Sequence, residues 1–232
     1  MGSPLDYRVV SIGTLATHPL WNEHTEVRTG HATTTLLCAG SATILVDPSL
    51  PAQALLARLS ERCGRDPGEI THVFLTSADP LHRRALGAFP NARWLAHELE
   101  LNAATEKLAD QLAEASDCGD SELGAILKTH LSILKKCEPA PDSLANGVDL
   151  FPLPGVTPGC CGLLLPLPRA TVCICGDAVA TCEHLAEGKV LPESFDIKQA
   201  QESFAEAVQI ADLLILGRDN LTLNPLRPPF GL

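Results

Sequence analysis

The amino-acid sequence predicts an α/β fold in which two β-sheets pack face to face and helices cover their outer faces, an αββα sandwich. The first observation is the order of the segments: extended runs, a helix, more extended runs, a long helical stretch, then extended runs and a final helix. The second is that the extended runs are short and rich in aliphatic and β-branched residues, which is typical of buried strands. Two packed sheets with helices outside would bury all of these runs.

The N-terminal part of the chain is mostly extended. One helix is predicted over residues 51–63, because Leu55, Leu56 and Leu59 recur at helical spacing and Gly64 follows as a stop signal. Strands are predicted over residues 8–12, 33–38, 43–46, 70–76 and 93–96.

From about residue 98 to residue 137 the pattern changes to helical, with two leucine stripes separated by a polar break at 116–120. We interpret this stretch as a helical insertion within a single domain spanning residues 1–232. Asp196 is a favourable N-cap for a last helix over 197–210. A Pro-rich tail follows the last strand. The remaining strands are predicted over residues 149–153, 162–167, 171–175 and 213–216.

Composition argues against several classes of partner. The formal charge is −11, and the basic pairs Arg83-Arg84 and Lys135-Lys136 are interpreted as solvated helix faces, so no nucleic-acid partner is expected. No apolar run approaches the roughly 20 residues of a membrane span, and the start does not resemble a secretory signal. The nine cysteines lack the spacing of a disulfide framework. We therefore expect a cytoplasmic protein whose thiols mostly pack in the core.

Five segments, in order along the chain, resemble the metallo-β-lactamase-fold hydrolase superfamily. Residues 33–35 and 44–48 are similar to its N-terminal hairpin, and residues 70–82, ending in TSADPLH, resemble its strand and Thr-His-x-His-x-Asp-His metal loop. Residues 154–159, PGVTPG, resemble its Pro-Gly-His-Thr-Pro-Gly turn. Gly176-Asp177 is similar to its Gly-Asp, and residues 211–218 to its terminal strand. The resemblance implies an αββα fold and hydrolysis of esters, thioesters, lactones or phosphodiesters.

The same resemblance locates the positions that would bind two zinc ions. Only His82 and Asp177 keep the family's residue, while Asp79 offers a carboxylate where the family has histidine. Aliphatic side chains donate nothing to a metal and a guanidinium repels it, so we expect neither a dinuclear site nor any other cofactor. The positions correspond to Ser77, Asp79, Leu81, His82, Val156, Asp177 and Arg218.

The first functional hypothesis is a non-catalytic member that acts by binding a ligand or a partner. Arg218 would replace the metal charge by pairing with Asp177 and with Asp79, because unpaired buried carboxylates are costly. Such a cluster could be purely structural, or Arg218 could anchor a small polar or anionic ligand. A homodimer through the helices of residues 98–137 is a further expectation.

The alternative hypothesis is a hydrolase with a remodelled single-metal site. Asp79, His82, Asp177 and Cys160 would hold one zinc or iron ion. Two nucleophile–base pairs are further alternatives, Ser77 with His82 and Cys182 with His184, and both pairs are expected to face solvent.

Overall fold

Two six-stranded sheets form the centre of the fold in the computed structural model, which describes residues 5–227 and confirms the αββα sandwich. The first sheet contains, in spatial order, β1 (Asp6–Ser11), β2 (Thr34–Ala39), β3 (Ala42–Val46), β4 (His72–Leu75), β5 (Arg93–Ala96) and β6 (Glu138–Pro139). The second contains, in spatial order, β12 (Leu221–Leu223), β11 (Leu213–Leu216), β10 (Thr171–Gly176), β9 (Cys161–Pro166), β8 (Val148–Pro152) and β7 (Ser143–Ala145).

Parallel connections bring several strand ends to one edge of the sandwich. In the first sheet, β3, β4, β5 and β6 are parallel neighbours; α1 (Ala52–Cys63) links β3 to β4, and α2 (Glu98–Asp117) and α3 (Ser121–Leu134) link β5 to β6. In the second sheet, β10 and β11 are parallel and are joined through α4 (Cys182–Glu187) and α5 (Ile197–Ile210). Loops that follow the carboxyl ends of parallel strands lie together, which is where open α/β sheets place their sites.

Three apolar layers hold these elements together. The layer between the sheets is formed by side chains such as Phe74 and Leu95 from one sheet and Leu163 from the other. A second layer packs α1 and α2 on the outer face of the first sheet, and a third packs α5 on the outer face of the second. Burial on both faces of each sheet explains why the strand sequences are almost continuously apolar.

The predicted strands and helices are observed with boundaries that agree within about two residues. Asp196 caps α5 as predicted, accepting a hydrogen bond from the Gln199 backbone N–H at 3.0 Å. Helix α4 and three strands of two or three residues were not predicted; these strands are β6, β7 and β12. The last of these lies within the predicted tail, whose end, residues 228–232, is outside the described residues. Across residues 5–227, no helix combines the length and apolarity that crossing a bilayer requires.

The predicted exposure of Arg83 to solvent is wrong. The Arg83-Arg84 pair was predicted to lie on a solvated helix face. Instead it lies in the loop between β4 and β5, where Arg84 is exposed but Arg83 is only 5% exposed. A backbone turn that buries Ala85 and Leu86 against the core directs Arg83 inward as well.

Candidate functional site

Four segments that follow strand ends meet at one end of the sandwich. They are the loop of residues 77–82 after β4, the turn of residues 154–159 between β8 and β9, Asp177 after β10, and Arg218 after β11. The absence of a side chain at Gly217 allows the backbone after β11 to lie close to the backbone at the end of β10. A Cβ atom at this position would lie only 2.3 Å from the Gly176 carbonyl oxygen. The close contact between these two backbones places the Arg218 side chain beside Asp177.

His82 is completely buried between two carboxylates. Its Nδ1 lies 3.1 Å from Asp47 Oδ2, and its Nε2 lies 3.0 Å from Asp177 Oδ2. Burial alone would lower the pKa of the ring, but the carboxylates of Asp47 and Asp177 outweigh it and raise the pKa of His82 to about 10. At neutral pH the ring is therefore an imidazolium that donates to both carboxylates.

Asp47 is held rigidly at the end of β3. It has a left-handed backbone conformation, with φ of 49°, which costs a non-glycine residue about 1 kcal/mol. Its Oδ1 accepts a hydrogen bond from the Thr76 backbone N–H at 2.9 Å, and its Oδ2 accepts one from the Thr76 hydroxyl at 2.6 Å. These bonds fix the carboxylate that faces His82 Nδ1.

Arg218 binds Asp177 through two parallel hydrogen bonds. Nε donates to Oδ1 and Nη2 donates to Oδ2, each at 2.6 Å, and both side chains are about nine-tenths buried. Burial opposes the charged form of Asp177, but Arg218 and His82 hold its pKa well below the usual range. Nη2 also lies 3.0 Å from His82 Nε2. Since both nitrogens carry protons, this is a contact between two donors that share Oδ2.

Asp47, His82, Asp177 and Arg218 together form what we call the ion cluster. Two carboxylates face one imidazolium and one guanidinium, so the formal charges within the cluster cancel. The predicted second pairing of Arg218 with Asp79 is wrong. Asp79 is exposed, forms no ion pair with any described residue, and accepts a hydrogen bond from the Leu81 backbone N–H at 2.8 Å.

A buried glutamate, Glu100, binds both the loop of residues 77–82 and the turn of residues 154–159. Its Oε1 accepts hydrogen bonds from the Ser77 hydroxyl at 2.9 Å and the Ala78 backbone N–H at 2.8 Å. Its Oε2 accepts from the Thr157 hydroxyl at 2.7 Å and the Gly159 backbone N–H at 3.1 Å. The sequence does not identify Glu100 as part of the site, because an acid in the first turn of a helix is ordinarily explained by the helix dipole.

Two residues of these loops, Val156 and Leu81, have aliphatic side chains. Val156 packs against a small apolar cluster formed by Leu15, Ala180 and Leu191. Leu81 is half-buried, and its carbonyl oxygen accepts a hydrogen bond from the Ser49 hydroxyl at 2.6 Å. Neither side chain offers a lone pair.

The donor atoms that remain do not fit the metal ions implied by the resemblance. The nitrogens of His82 are protonated and face carboxylates, the oxygens of Asp177 accept from Arg218, and the Ser77 hydroxyl donates to Glu100. Burial raises the pKa of the Cys160 thiol well above its usual value, which keeps it protonated. In the part of the chain that is described, no three His, Cys, Asp or Glu side chains surround a common metal position.

The two suggested nucleophile–base pairs are not formed. The expectation that Ser77 and His82 face solvent is wrong, because both are buried. Ser77 donates to Glu100, whereas His82 lies between the carboxylates of the ion cluster. His184 was expected to face solvent with Cys182, but it is 1% exposed and its Nδ1 lies 2.9 Å from the Thr181 hydroxyl. Desolvation and the Asp219 carboxylate raise the pKa of Cys182 to about 11, so this thiol is not activated.

The cysteines near the site belong to the core, as predicted. All four are between 0% and 1% exposed, and none of the cysteines in the chain forms a disulfide. Cys175 donates to the Cys173 carbonyl oxygen at 3.5 Å, in the layer that packs against α5. The four residues are Cys160, Cys161, Cys173 and Cys175.

Comparisons with known proteins agree with this architecture. The family model of the metallo-beta-lactamase superfamily matches residues 27–217. A metallo-beta-lactamase structure from Thermotoga maritima is similar, with 19% identity, a TM-score of 0.69, and coverage of 94% of this chain and 99% of that one. AidC, a dizinc quorum-quenching lactonase, has 20% identity and a TM-score of 0.63 over 83% of this chain and 74% of that one. A quorum-quenching N-acyl homoserine lactone lactonase has 18% identity and a TM-score of 0.62 over 94% of each chain. No curated protein matches.

Proposed function

The chain belongs to the metallo-beta-lactamase superfamily, and we propose that it is a non-catalytic member in which the ion cluster takes the place of the metal pair. The observation that carries the proposal is the bidentate contact between Arg218 and Asp177. In the family resemblance Asp177 is the carboxylate that bridges the two metals. Here both of its oxygens are occupied by a guanidinium, which cannot be deprotonated at physiological pH.

The chemistry of the cluster supports the absence of hydrolysis. Activation of water without a metal requires a base with a free lone pair near the substrate. His82 is an imidazolium at neutral pH, and Asp177 is a weak base because its charge is neutralised by Arg218 and His82. Asp79 is an exposed carboxylate that forms no ion pair with a described residue. Neither His82 nor Asp177 is a general base poised near neutrality.

We propose that the surface around the turn of residues 154–159 binds a ligand or a partner. Phe195 donates its backbone N–H to the Val156 carbonyl oxygen at 3.1 Å, and its side chain is 73% exposed. On the other side of the turn, the Leu99 backbone lies against Gly159 while the Leu99 side chain is 58% exposed. Exposed apolar surface is typical of ligand or partner sites. The internal charge balance of the ion cluster favours a polar or apolar contact over a strongly anionic one.

Metal analysis separates this proposal from a hydrolase. The protein is produced in zinc-supplemented medium, purified without chelator or metal-affinity resin, and analysed by inductively coupled plasma mass spectrometry. We expect far less than one metal ion per chain. Two zinc ions per chain, or one zinc or iron ion, would overturn the proposal. Hydrolysis of an N-acyl homoserine lactone, a thioester and a phosphodiester is measured on the same sample, and we expect no activity above buffer.

A restored variant provides the matched control. It carries Ser77→His, Asp79→His, Leu81→Asp, Val156→His and Arg218→His, which returns every altered ligand position to the family's residue. If this variant binds zinc and the natural chain does not, these five side chains account for the absence of metal binding. Equal zinc uptake by both proteins would contradict the proposal, because the natural side chains would then suffice.

A further inference from the structure

Residues 14–31, between β1 and β2, form a long segment that we call the strap. Its two end residues exchange backbone hydrogen bonds at 2.8 and 3.0 Å, so the strap is closed at its base. Leu15 of the strap belongs to the apolar cluster against which Val156 packs. Ala180 of the same cluster accepts a hydrogen bond from the Arg218 backbone N–H at 2.8 Å. The strap therefore lies beside the ion cluster.

Two buried histidines join the strap to helix α4 through one hydroxyl group. His18 of the strap is 3% exposed, and its Nε2 lies 3.2 Å from Thr181 Oγ1. His184 of α4 is 1% exposed, and its Nδ1 lies 2.9 Å from the same oxygen. The centroids of the two imidazole rings are 5.4 Å apart. Trp21, which is half-exposed, stacks on the ring of His18 with the centroids 4.1 Å apart, so the strap is packed onto this contact.

The single proton of the Thr181 hydroxyl determines which ring nitrogens carry hydrogen. The hydroxyl donates to Glu183 Oε2 at 2.8 Å, so its oxygen can only accept hydrogen bonds from the two imidazoles. A neutral His184 therefore carries its proton on Nδ1, and a neutral His18 carries its proton on Nε2. The other ring nitrogens, His184 Nε2 and His18 Nδ1, then present lone pairs. Both are buried and have no hydrogen-bond partner among residues 5–227.

A proton added to His184 finds no acceptor while the strap is in place. It would bind Nε2, where the new N–H would be buried without a partner, and its charge would face the ring of His18. Burial and the neighbouring His18 lower the pKa of His184, as does Lys189. The carboxylates of Glu183 and Glu187 oppose this shift without cancelling it. The closed strap therefore favours the neutral imidazole.

Three carboxylates, from the strap and from α4, lie near the two rings. Glu23 accepts a hydrogen bond from the backbone N–H of the strap histidine at 2.7 Å, but it is paired with Arg28. Glu187 is paired with Lys189 at 2.6 Å. Glu183, whose Oε2 lies 3.3 Å from the Nε2 of the strap histidine, is the only one of the three without an arginine or lysine partner among the described residues. One such carboxylate can balance one positive charge but not two.

We propose that the strap is a pH-sensitive latch, which is fastened while His184 is neutral and is released when His184 is protonated. The closed strap excludes a proton that the open strap binds with the ordinary histidine pKa of about 6.5. Closure is therefore complete above about pH 6.5 and weakens as the pH falls below that value. Release would uncover the apolar cluster around Leu15, beside the backbone of Arg218. The latch does not depend on the proposed loss of catalysis.

Amide hydrogen exchange of the full chain tests this proposal. Protection factors, corrected for the intrinsic pH dependence of exchange, are measured at pH 7.5 and 5.5. One excluded proton with an open-state pKa of about 6.5 should lower protection in the strap by about tenfold. A suitable amide is that of Val27, which donates to the Ala16 carbonyl oxygen at 3.1 Å. Amides of β10 and α5 should keep their protection at both pH values.

Two histidines supply the matched control. His184→Asn keeps a donor for the Thr181 hydroxyl but cannot be protonated, and His24→Asn makes the same change at an exposed position of the strap. We expect His24→Asn to retain the tenfold loss of protection and His184→Asn to lose less than about twofold. Equal losses in both variants, or an unchanged strap in the natural chain at pH 5.5, would overturn the proposal.

The comparison within the natural chain is decisive even if His184→Asn does not fold. A loss of protection confined to the strap supports the latch. A loss of similar size in β10 and α5 would indicate global unfolding in acid and would also overturn the proposal, because the strap would then not open by itself.

Discussion

Removal of either charge of the Arg218–Asp177 pair should cost at least as much stability as removal of both charges together. Arg218→Met leaves Asp177 with His82 as its only cationic partner, so we expect the unfolding free energy to fall by about 3 kcal/mol, the lower end of the range for a broken buried pair. Asp177→Asn leaves two cations whose nitrogens are 3.0 Å apart, with Asp47 as their only carboxylate, and should cost about 4 kcal/mol.

The double variant should be much less destabilised than the sum of the single variants. Arg218→Met combined with Asp177→Asn leaves Asp47 and His82 as a balanced pair, so we expect a loss of at most about 3 kcal/mol. The coupling energy between the two positions is then about 4 kcal/mol, within the range measured for close charge pairs. Urea unfolding at neutral pH, followed by far-UV circular dichroism, measures all four proteins. Additive effects would refute the reasoning.

An exposed ion pair provides the comparison. Lys198 and Glu202 lie on α5 with nitrogen and oxygen 3.8 Å apart, and their side chains are 87% and 65% exposed. The corresponding double-mutant cycle, with Lys198→Met and Glu202→Gln, should give a coupling energy below about 0.5 kcal/mol, because solvent screens the pair. A coupling as large as that of the ion cluster would show that burial is not the cause.

Three further outcomes are expected. Because the pKa of His82 is raised from 6.5 to about 10, its contribution to stability is complete below about pH 6.5 and is lost as pH rises towards 10, by up to about 1.4 kcal/mol per pH unit. The lowered pKa of Asp177 gives a loss below about pH 4 instead. A pH series of urea unfolding checks both, and a flat profile from pH 6.5 to 10 would argue against the imidazolium. Glu100→Gln should cost about 2–4 kcal/mol, since it weakens charge-assisted hydrogen bonds between the two loops, whereas the exposed Glu98→Gln on the same helix should be neutral. Self-association through α2 and α3 should appear in equilibrium sedimentation and be lost on Ile126→Asp, whose native side chain is 49% exposed; a monomer at all concentrations would exclude the homodimer.

Elements and residues that follow a recognisable sequence pattern could be predicted from the sequence. The aliphatic strands and α5 were predicted because their periodicity and caps are local. Arg218 was predicted to pair with Asp177 because the order of the motifs brought the ends of β10 and β11 together. Strands of two or three residues, such as β6, carry too little pattern to identify, since their pairing depends on a neighbour that is distant in sequence.

Long-range contacts explain the residues that sequence reasoning missed. The local sequence around Asp47 predicts only the end of a hairpin strand. It does not indicate that the Asp47 carboxylate faces His82. Glu100 resembles any acid in the first turn of a helix, yet it receives four hydrogen bonds from two separate loops. Arg83 looks like half of a solvated basic pair, and only the packing of the loop against the core shows that it is buried. Burial of a charged side chain is decided by tertiary structure and leaves no sequence pattern.

Anomalous diffraction at the zinc edge, from crystals grown with excess zinc, would most directly show whether a guanidinium has replaced the metal pair. We predict no anomalous peak beside Asp177 and an Arg218 side chain that still binds both carboxylate oxygens. Two peaks about 3.5–4 Å apart, bridged by Asp177 with Arg218 displaced, would contradict the account.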